Sequence, residues 1–334
     1  MIKSSYTTRY ITNEEYKEWD ELVLQSPNYS IFDTTLWLGT LTSILKCDIK
    51  ILGVFKENNL VGGIALNIIK RFGIKIAKTP PMSAFNSCHY VLKETQHKDK
   101  LGNKIQNILA VIADRLQNDF HYAIVTNHPD FKNVNAFKWK GWRQNILYSY
   151  SVQLNNVDLS LISASKRRQV KKAQKKLIAV EEIRDIVPVY DIIEQTYIRQ
   201  NLKCPLTLDE MTDIYKKIKN NIVILAAKEP ANGKCIAVDI AIIDCKRKYA
   251  YSLINAYDFE SADSGANSLV LWEGIEFFKN KGLEIFDLGE AGELSKSSFK
   301  GQFYTELVPY YQVSKSNILF SIVWHLTKGK IARN

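Results

Sequence analysis

Residues 263–311, DSGANSLVLWEGIEFFKNKGLEIFDLGEAGELSKSSFKGQFYTELVPYY, set chemistry-bearing side chains in an order suited to handling an anion. Ser264, Gly265, Ala266, Asn267 and Ser268 make a small, polar entry into an amphipathic helix. A helix start exposes backbone N–H groups at the positive end of its dipole, which suits phosphate. Small residues let that anion come close to the backbone. Asp287, Glu290 and Glu293 follow the apolar run LEIFDLG, and one of them can act as general base toward an attacking amine. Lys300 arrives next, in a basic Phe-Lys element, where a fixed cation can face negative charge that develops during a reaction. The plain alternatives are an ordinary N-cap, solvated carboxylates and a surface lysine.

A second constellation lies upstream. Residues 166–176, KRRQVKKAQKK, hold seven cations and no anion. At helical spacing Val170, Ala173 and Leu177 share one face, while Arg167, Arg168, Lys171, Lys172, Lys175 and Lys176 cover the other. Like charges at i,i+4 repel, so this density favours an anionic partner. Phosphates of tRNA or a diphosphate-bearing substrate fit, with a solvated cationic face as the plain alternative. The net charge of +10 over 334 residues falls to +3 without this stretch, so basicity is a local feature.

Five scattered cysteines without CxxC spacing argue against a disulfide framework and fit a reducing cytoplasm. Five dispersed histidines show no metal motif, so neither a metal nor a tightly bound cofactor is expected. The N-terminal MIKSSYTTRY lacks the apolar core of a signal peptide, and no run of about 18 apolar residues is present to cross a bilayer. Residues 317–334, NILFSIVWHLTKGKIARN, are apolar and then basic. They suit either closure of a core or peripheral contact with an anionic membrane.

The elements that must position these residues repeat. Residues 13–25 and 34–46 read as helices, with Asn13 as an N-cap. IKILGVFKENNLVGGIALNII reads as a hairpin, and Leu101, Ile105, Ile108, Leu109, Ile112 and Leu116 form a helical stripe before the strand HYAIVTN. The second half follows suit: helices over 161–177, 187–200 and 207–219, then IVILAAKEPANGKCIAVDIAII, a third strand, a helix and the strand LEIFDLG. Two similar α/β domains follow, 1–156 and 157–334, the second carrying the donor site.

That order resembles the GNAT acyltransferase fold, and its doubling resembles the Fem family, whose members add amino acids to peptidoglycan precursors. Phe32-Asp33-Thr34-Thr35-Leu36-Trp37 is similar to the family's early signature, and Ser165–Ala173 to its basic helix. Phe286-Asp287-Leu288-Gly289, Phe299-Lys300 with Phe303, and Val308-Pro309-Tyr310-Tyr311 are similar to its strand end and its closing segment. No long charged arm interrupts the second half, so the likeness is to armless FemX-like members. The resemblance implies tandem GNAT-like domains, each a mixed, mainly antiparallel sheet flanked by helices. It implies an N-acyltransferase in which Lys300 steadies charge on the acyl carbonyl and the donor is aminoacyl-tRNA or acyl-CoA. Acceptor contacts would come from Arg167, Arg168, Lys171, Lys172, Trp37, Asn86 and Tyr310. An acyl-CoA-dependent acetyltransferase on a sugar or small-molecule amine is the first alternative. A non-catalytic module binding RNA or membrane on the same scaffold is the second.

Overall fold

The computed structural model describes residues 6–91, 98–292 and 294–327. Two compact units form: Met1–Leu147 with Pro309–Asn334, and Tyr148–Val308. The first contains β1 (Tyr6–Tyr10), α1 (Tyr16–Gln25), α2 (Thr35–Leu45), β2 (Asp48–Lys56), β3 (Asn59–Arg71), β4 (Ile74–Lys78), β5 (His89–Tyr90), α3 (Lys98–Asp119), β6 (Tyr122–Thr126) and α4 (Asn135–Trp139). Strand β7 (Arg143–Gln153) carries the chain into the second. There α5 (Ala164–Lys175), β8 (Ala179–Ile183), α6 (Val187–Arg199), α7 (Leu208–Ile218), β9 (Ile222–Lys228), β10 (Cys235–Asp244), β11 (Tyr249–Tyr257), α8 (Ala266–Asn280), β12 (Ile285–Glu290) and α9 (Leu294–Lys300) follow. Strand β13 (Glu306–Ser316) returns the chain to the first unit, which ends in α10 (Ile318–Leu326).

The two units share one plan. Strand order is β1-β2-β3-β4-β6-β13 in the first, with β5 beside β3, and β7-β12-β11-β10-β9-β8 in the second. Each has a hairpin, β2–β3 or β9–β10, followed by a third antiparallel strand. Each then has a helical connection, through α3 or α8, to a parallel neighbour: Ile76 opposite Tyr122, and Tyr249 opposite Ile285. A parallel pair needs such a crossover, which is why a helix stands at this point in both halves. The fold is thus the mixed, mainly antiparallel α/β arrangement expected from the doubled hairpins.

The division departs from the expected 1–156 and 157–334. Residues Gln312–Ser316 of β13 pair with β6, so the last strand closes the first sheet rather than the second. In the second unit the strand beside β12 is β7, with Ile285 opposite Gln153. The helix start near residue 13 also differs. Thr12 caps a short 3-10 turn, and its N–H donates to the Glu15 carboxylate at 2.8 Å.

In the first core the predicted α3 stripe holds, with Ile108, Leu109, Ile112 and Leu116 buried against β2 and β3. In the second, Val170 and Ala173 of α5 meet Trp272, Ile275 and Phe278 of α8, with Phe286 and Phe303 beneath. Strand β10 is buried along its whole length, Asp239 included. Backbone approach is close at Gly63 of β3, where a Cβ would lie 2.5 Å from the Leu52 carbonyl oxygen and 2.7 Å from the Trp19 ring. Gly63→Ala is therefore expected to destabilise the fold by about 1–3 kcal/mol through overpacking, read as a lower urea midpoint at unchanged slope.

Candidate active site

A break in the sheet gathers the reactive groups of the second unit. The pairing of β12 with β7 shifts register between Asp287 and Glu290. Gly289 sits there at φ 85°, a conformation that glycine adopts without Cβ strain. A Cβ at Gly289 would stand 3.4 Å from Lys300 Nζ, so the bulge and the ammonium are neighbours. Lys300 Nζ donates to the Glu290 carbonyl at 3.2 Å. Burial pulls the Lys300 pKa below the usual lysine value. Asp287 opposes that shift most strongly, Lys296 adds to it, and Asp239 and Glu290 oppose it further.

Asp287 is buried and well held. Its Oδ1 accepts from the Ser149 hydroxyl and from the Gly289 N–H, the latter at 2.7 Å. Burial raises its pKa, while those two hydrogen bonds and the charge of Lys300 lower it. Both donors tie this carboxylate to the bulge itself.

Asp239 of β10 completes the cluster, and the sequence reading passed over it. Its Oδ1 accepts from the Ser252 hydroxyl at 2.6 Å. Its Oδ2 is buried without a hydrogen bond of good geometry among the described residues. Burial pushes its pKa up to about 7, against Ser252, Asn255 and the Lys300 charge. The signal was present in CIAVDIAIID, where one carboxylate interrupts an apolar run long enough to be buried on both faces. Glu290 is exposed and contributes its carbonyl, and Glu293 lies outside the described residues. An ammonium between buried carboxylates can stabilise an oxyanion and can exchange a proton near neutral pH.

The loop before α8 packs onto α5. Gly265 takes φ 86° and caps α8, and Ala266 N–H donates to the Ser264 hydroxyl at 3.1 Å. A Cβ at Gly265 would lie 2.3 Å from the Gln169 carbonyl oxygen. Ser268 donates to Gln169 Oε1 at 2.6 Å, and the Asn267 Oδ1 atom is buried without a hydrogen-bond partner among the described residues. The expected loop residues thus come together at a helix N-terminus, with α5 as its neighbour.

Helix α5 places two kinds of cation. Arg168, Lys171, Lys172, Lys175 and Lys176 line one open depression, the basic face foreseen from the sequence. Arg167 turns instead to the Ser160 carbonyl at 2.5 Å. Lys166 falls on the buried face with Val170 and Ala173. Its Nζ sits 4.0 Å over the Phe299 ring and donates to Gln169 Oε1 at 3.0 Å, and burial lowers its pKa to about 8. The i,i+4 spacing of Lys166 from Val170 was the clue to this burial.

The acceptor contacts expected in the first unit are occupied by the fold. Trp37 is buried and donates to the Ser83 hydroxyl at 2.7 Å. Asn86 is buried: its Oδ1 accepts from Thr79 at 2.8 Å and Thr126 N–H at 2.9 Å, and its Nδ2 donates to Ala65 at 3.2 Å. Tyr310 is buried edge-on to Phe85 at 5.6 Å. Trp37 and Asn86 therefore spend their polar atoms within the chain, as buried polar groups must. Among the described residues no group of three His, Cys, Asp or Glu is placed to hold a metal ion.

Residues 164–300 match the family model described as an acetyltransferase (GNAT) domain, which marks this part of the chain as an acyltransferase domain. The whole chain is similar in fold to the crystal structure of FemX, at TM-score 0.64 and 12% identity, covering 96% of this chain and 99% of that one. It is also similar to the C-terminal domain named as a lysylphosphatidylglycerol synthetase from Agrobacterium fabrum, at TM-score 0.60 and 14% identity, with 94% of each chain covered. A tandem GNAT protein from the clavulanic acid biosynthesis pathway aligns at TM-score 0.52 and 10% identity, covering 93% and 98%. No curated protein sequence matches the chain.

Gly265→Ala tests the packing of the α8 entry. The left-handed backbone and the 2.3 Å approach to Gln169 both oppose a side chain there. A loss of about 2 kcal/mol or more in chemical denaturation is expected.

Proposed function

We propose that this acyltransferase moves an aminoacyl group onto an amine of an anionic acceptor, with Lys300 at the reacting carbonyl. The observation that carries the reading is the half-buried ammonium beside Asp239 and Asp287 at the β12 bulge. The amine nitrogen forms a bond to the donor's carbonyl carbon, and the carbonyl π pair moves onto oxygen. Lys300 donates to that oxyanion, in a setting where burial strengthens the interaction. Asp239 takes the proton that the amine loses, as its unspent Oδ2 and a pKa of about 7 allow. The intermediate then collapses, the donor's C–O bond breaks, and the leaving oxygen receives the proton. Asp287 is the positioning residue that fixes the bulge.

The donor read here is aminoacyl-tRNA, its phosphates lying along Arg168, Lys171, Lys172, Lys175 and Lys176 of α5. The likeness to FemX supports it and points to a peptidoglycan-type acceptor. The synthetase from Agrobacterium fabrum, by its name, points to a lipid-type anion instead. An acyl-CoA donor is the second reading, favoured by the GNAT domain match over 164–300 and by the N-terminus of α8 behind Ser264–Ser268. Transfer of radiolabel from a charged tRNA pool to an amine acceptor, abolished by ribonuclease and indifferent to CoA, supports the first. The reverse pattern supports the second.

Lys300→Ala is expected to lower turnover at least about tenfold in a chain that still folds, as a cooperative unfolding transition will check. Unchanged turnover would remove Lys300 from the chemistry. A pH series tests Asp239. Its pKa is raised to about 7, so the carboxylate form is populated above that pH, and the folded state loses stability as pH rises through it. The expected kcat/KM of the wild type climbs through about pH 7. Asp239→Asn should be slow and lack that limb; if the limb persists, another group accepts the proton.

A further inference from the structure

Helix α10 shows the wrong face to water. Its nine residues are ILFSIVWHL, and only Phe320 is buried. Phe320 docks on Ile74 and Ile76 and stacks on Tyr122, with ring centroids 4.5 Å apart. The rest of the apolar surface is open: Ile318 is 81% exposed, Leu326 78%, Ile322 52%, Leu319 48% and Trp324 40%. Scattered apolar residues on a surface are ordinary, but five on a nine-residue helix form a patch.

The β3–β4 hairpin extends that patch. Phe72 at its tip is 69% exposed and held at φ 51°, with Arg71 5.5 Å from its ring. Ile69 and Ile74 of the same hairpin belong to the small cluster that seats Phe320. The two segments that carry these elements hold charge of one sign. Residues 60–92 and 307–334 contain no aspartate or glutamate, and they include Lys70, Arg71, Lys75, Lys315, Lys328, Lys330 and Arg333. Residues 328–334 lie outside the described residues and enter only as sequence.

We propose that α10 and the β3–β4 tip form a peripheral docking surface for an anionic bilayer. An exposed apolar helix with an aromatic companion, both carried on segments whose only charges are basic, matches what an interfacial element needs. The side chains enter the headgroup–acyl boundary, and the cations meet lipid phosphates. A soluble protein partner or a second copy would cover the apolar groups too, but neither accounts for two segments of this length without a single carboxylate. The proposal does not rest on the acyl donor or on Lys300.

The test is sedimentation of the full chain with vesicles of phosphatidylcholine alone or with one quarter phosphatidylglycerol. Binding to the anionic vesicles, weakened at least about fivefold by 0.5 M salt, is expected. The double variant Ile322→Glu with Leu326→Glu should lose at least about tenfold in partitioning, and Phe72→Ser a smaller part. Those residues are exposed, so an unchanged thermal transition will confirm that the variants fold. Three results overturn the proposal: wild type that binds neither vesicle, a double variant that binds as wild type does, or a wild-type dimer dissociated by the double variant without vesicle binding.

Discussion

Two carboxylates and an ammonium are withdrawn from water beside one break in the sheet of the second unit, and the local structure must accommodate them. Each such ion costs several kcal/mol in desolvation after relaxation. The structure offsets that cost unevenly. Asp287 is tied by the Ser149 hydroxyl and the Gly289 N–H. Asp239 has the Ser252 hydroxyl on one oxygen and answers burial by holding its proton up to about pH 7. Lys300, half-buried, lies where its charge lowers both carboxylate pKa values. The bulge makes this possible, because it turns the end of β12 so that Gly289 leaves room beside Nζ.

Helix α5 supports the same region from the other side of its packing. Lys166 is spent on Phe299 and Gln169, and Phe299 precedes Lys300 in the chain. Gln169 in turn receives Ser268 and abuts Gly265, so one side chain links α5 to the start of α8. A strongly cationic helix is thereby anchored by a buried lysine rather than by an acid. Its five exposed cations remain without carboxylates on their own helix, whose sequence ASKRRQVKKAQK has none. An external anion bound along that face would relieve its like-charge cost.

Much of this was legible and some was not, for physical reasons. Periodicity gives burial, so the α3 stripe, the two hairpins and the Val170–Ala173 face were read correctly. The pairing of residues 284–288 with a basic element at Lys300 was also readable, because the two are close in sequence. Asp239 was missed because its partners come from β11 and α9, and local pattern does not disclose long-range neighbours. Asn86 and Trp37 were read as ligand contacts for the converse reason. Thr79, Thr126 and Ser83 already satisfy them, from positions that only the folded chain brings near. The return of the chain to the first unit from Pro309 escaped notice because the end of β13 pairs with β6 across nearly 190 residues.

The charge state of the cluster argues for its chemistry. With both carboxylates ionised beside Lys300, the group carries one net negative charge in a site that disfavours it. With Asp239 protonated, the group is neutral, and burial favours that form until about pH 7. Attack by an amine on a carbonyl must dispose of one proton and steady one oxyanion. A cluster poised to hold a single exchangeable proton beside a fixed cation meets both needs with groups already present. Had Asp239 been solvated, its ordinary pKa would leave it too weak a base for a departing ammonium proton. In the proposed mechanism its burial within an apolar strand, costly to the fold, is what equips it to take that proton.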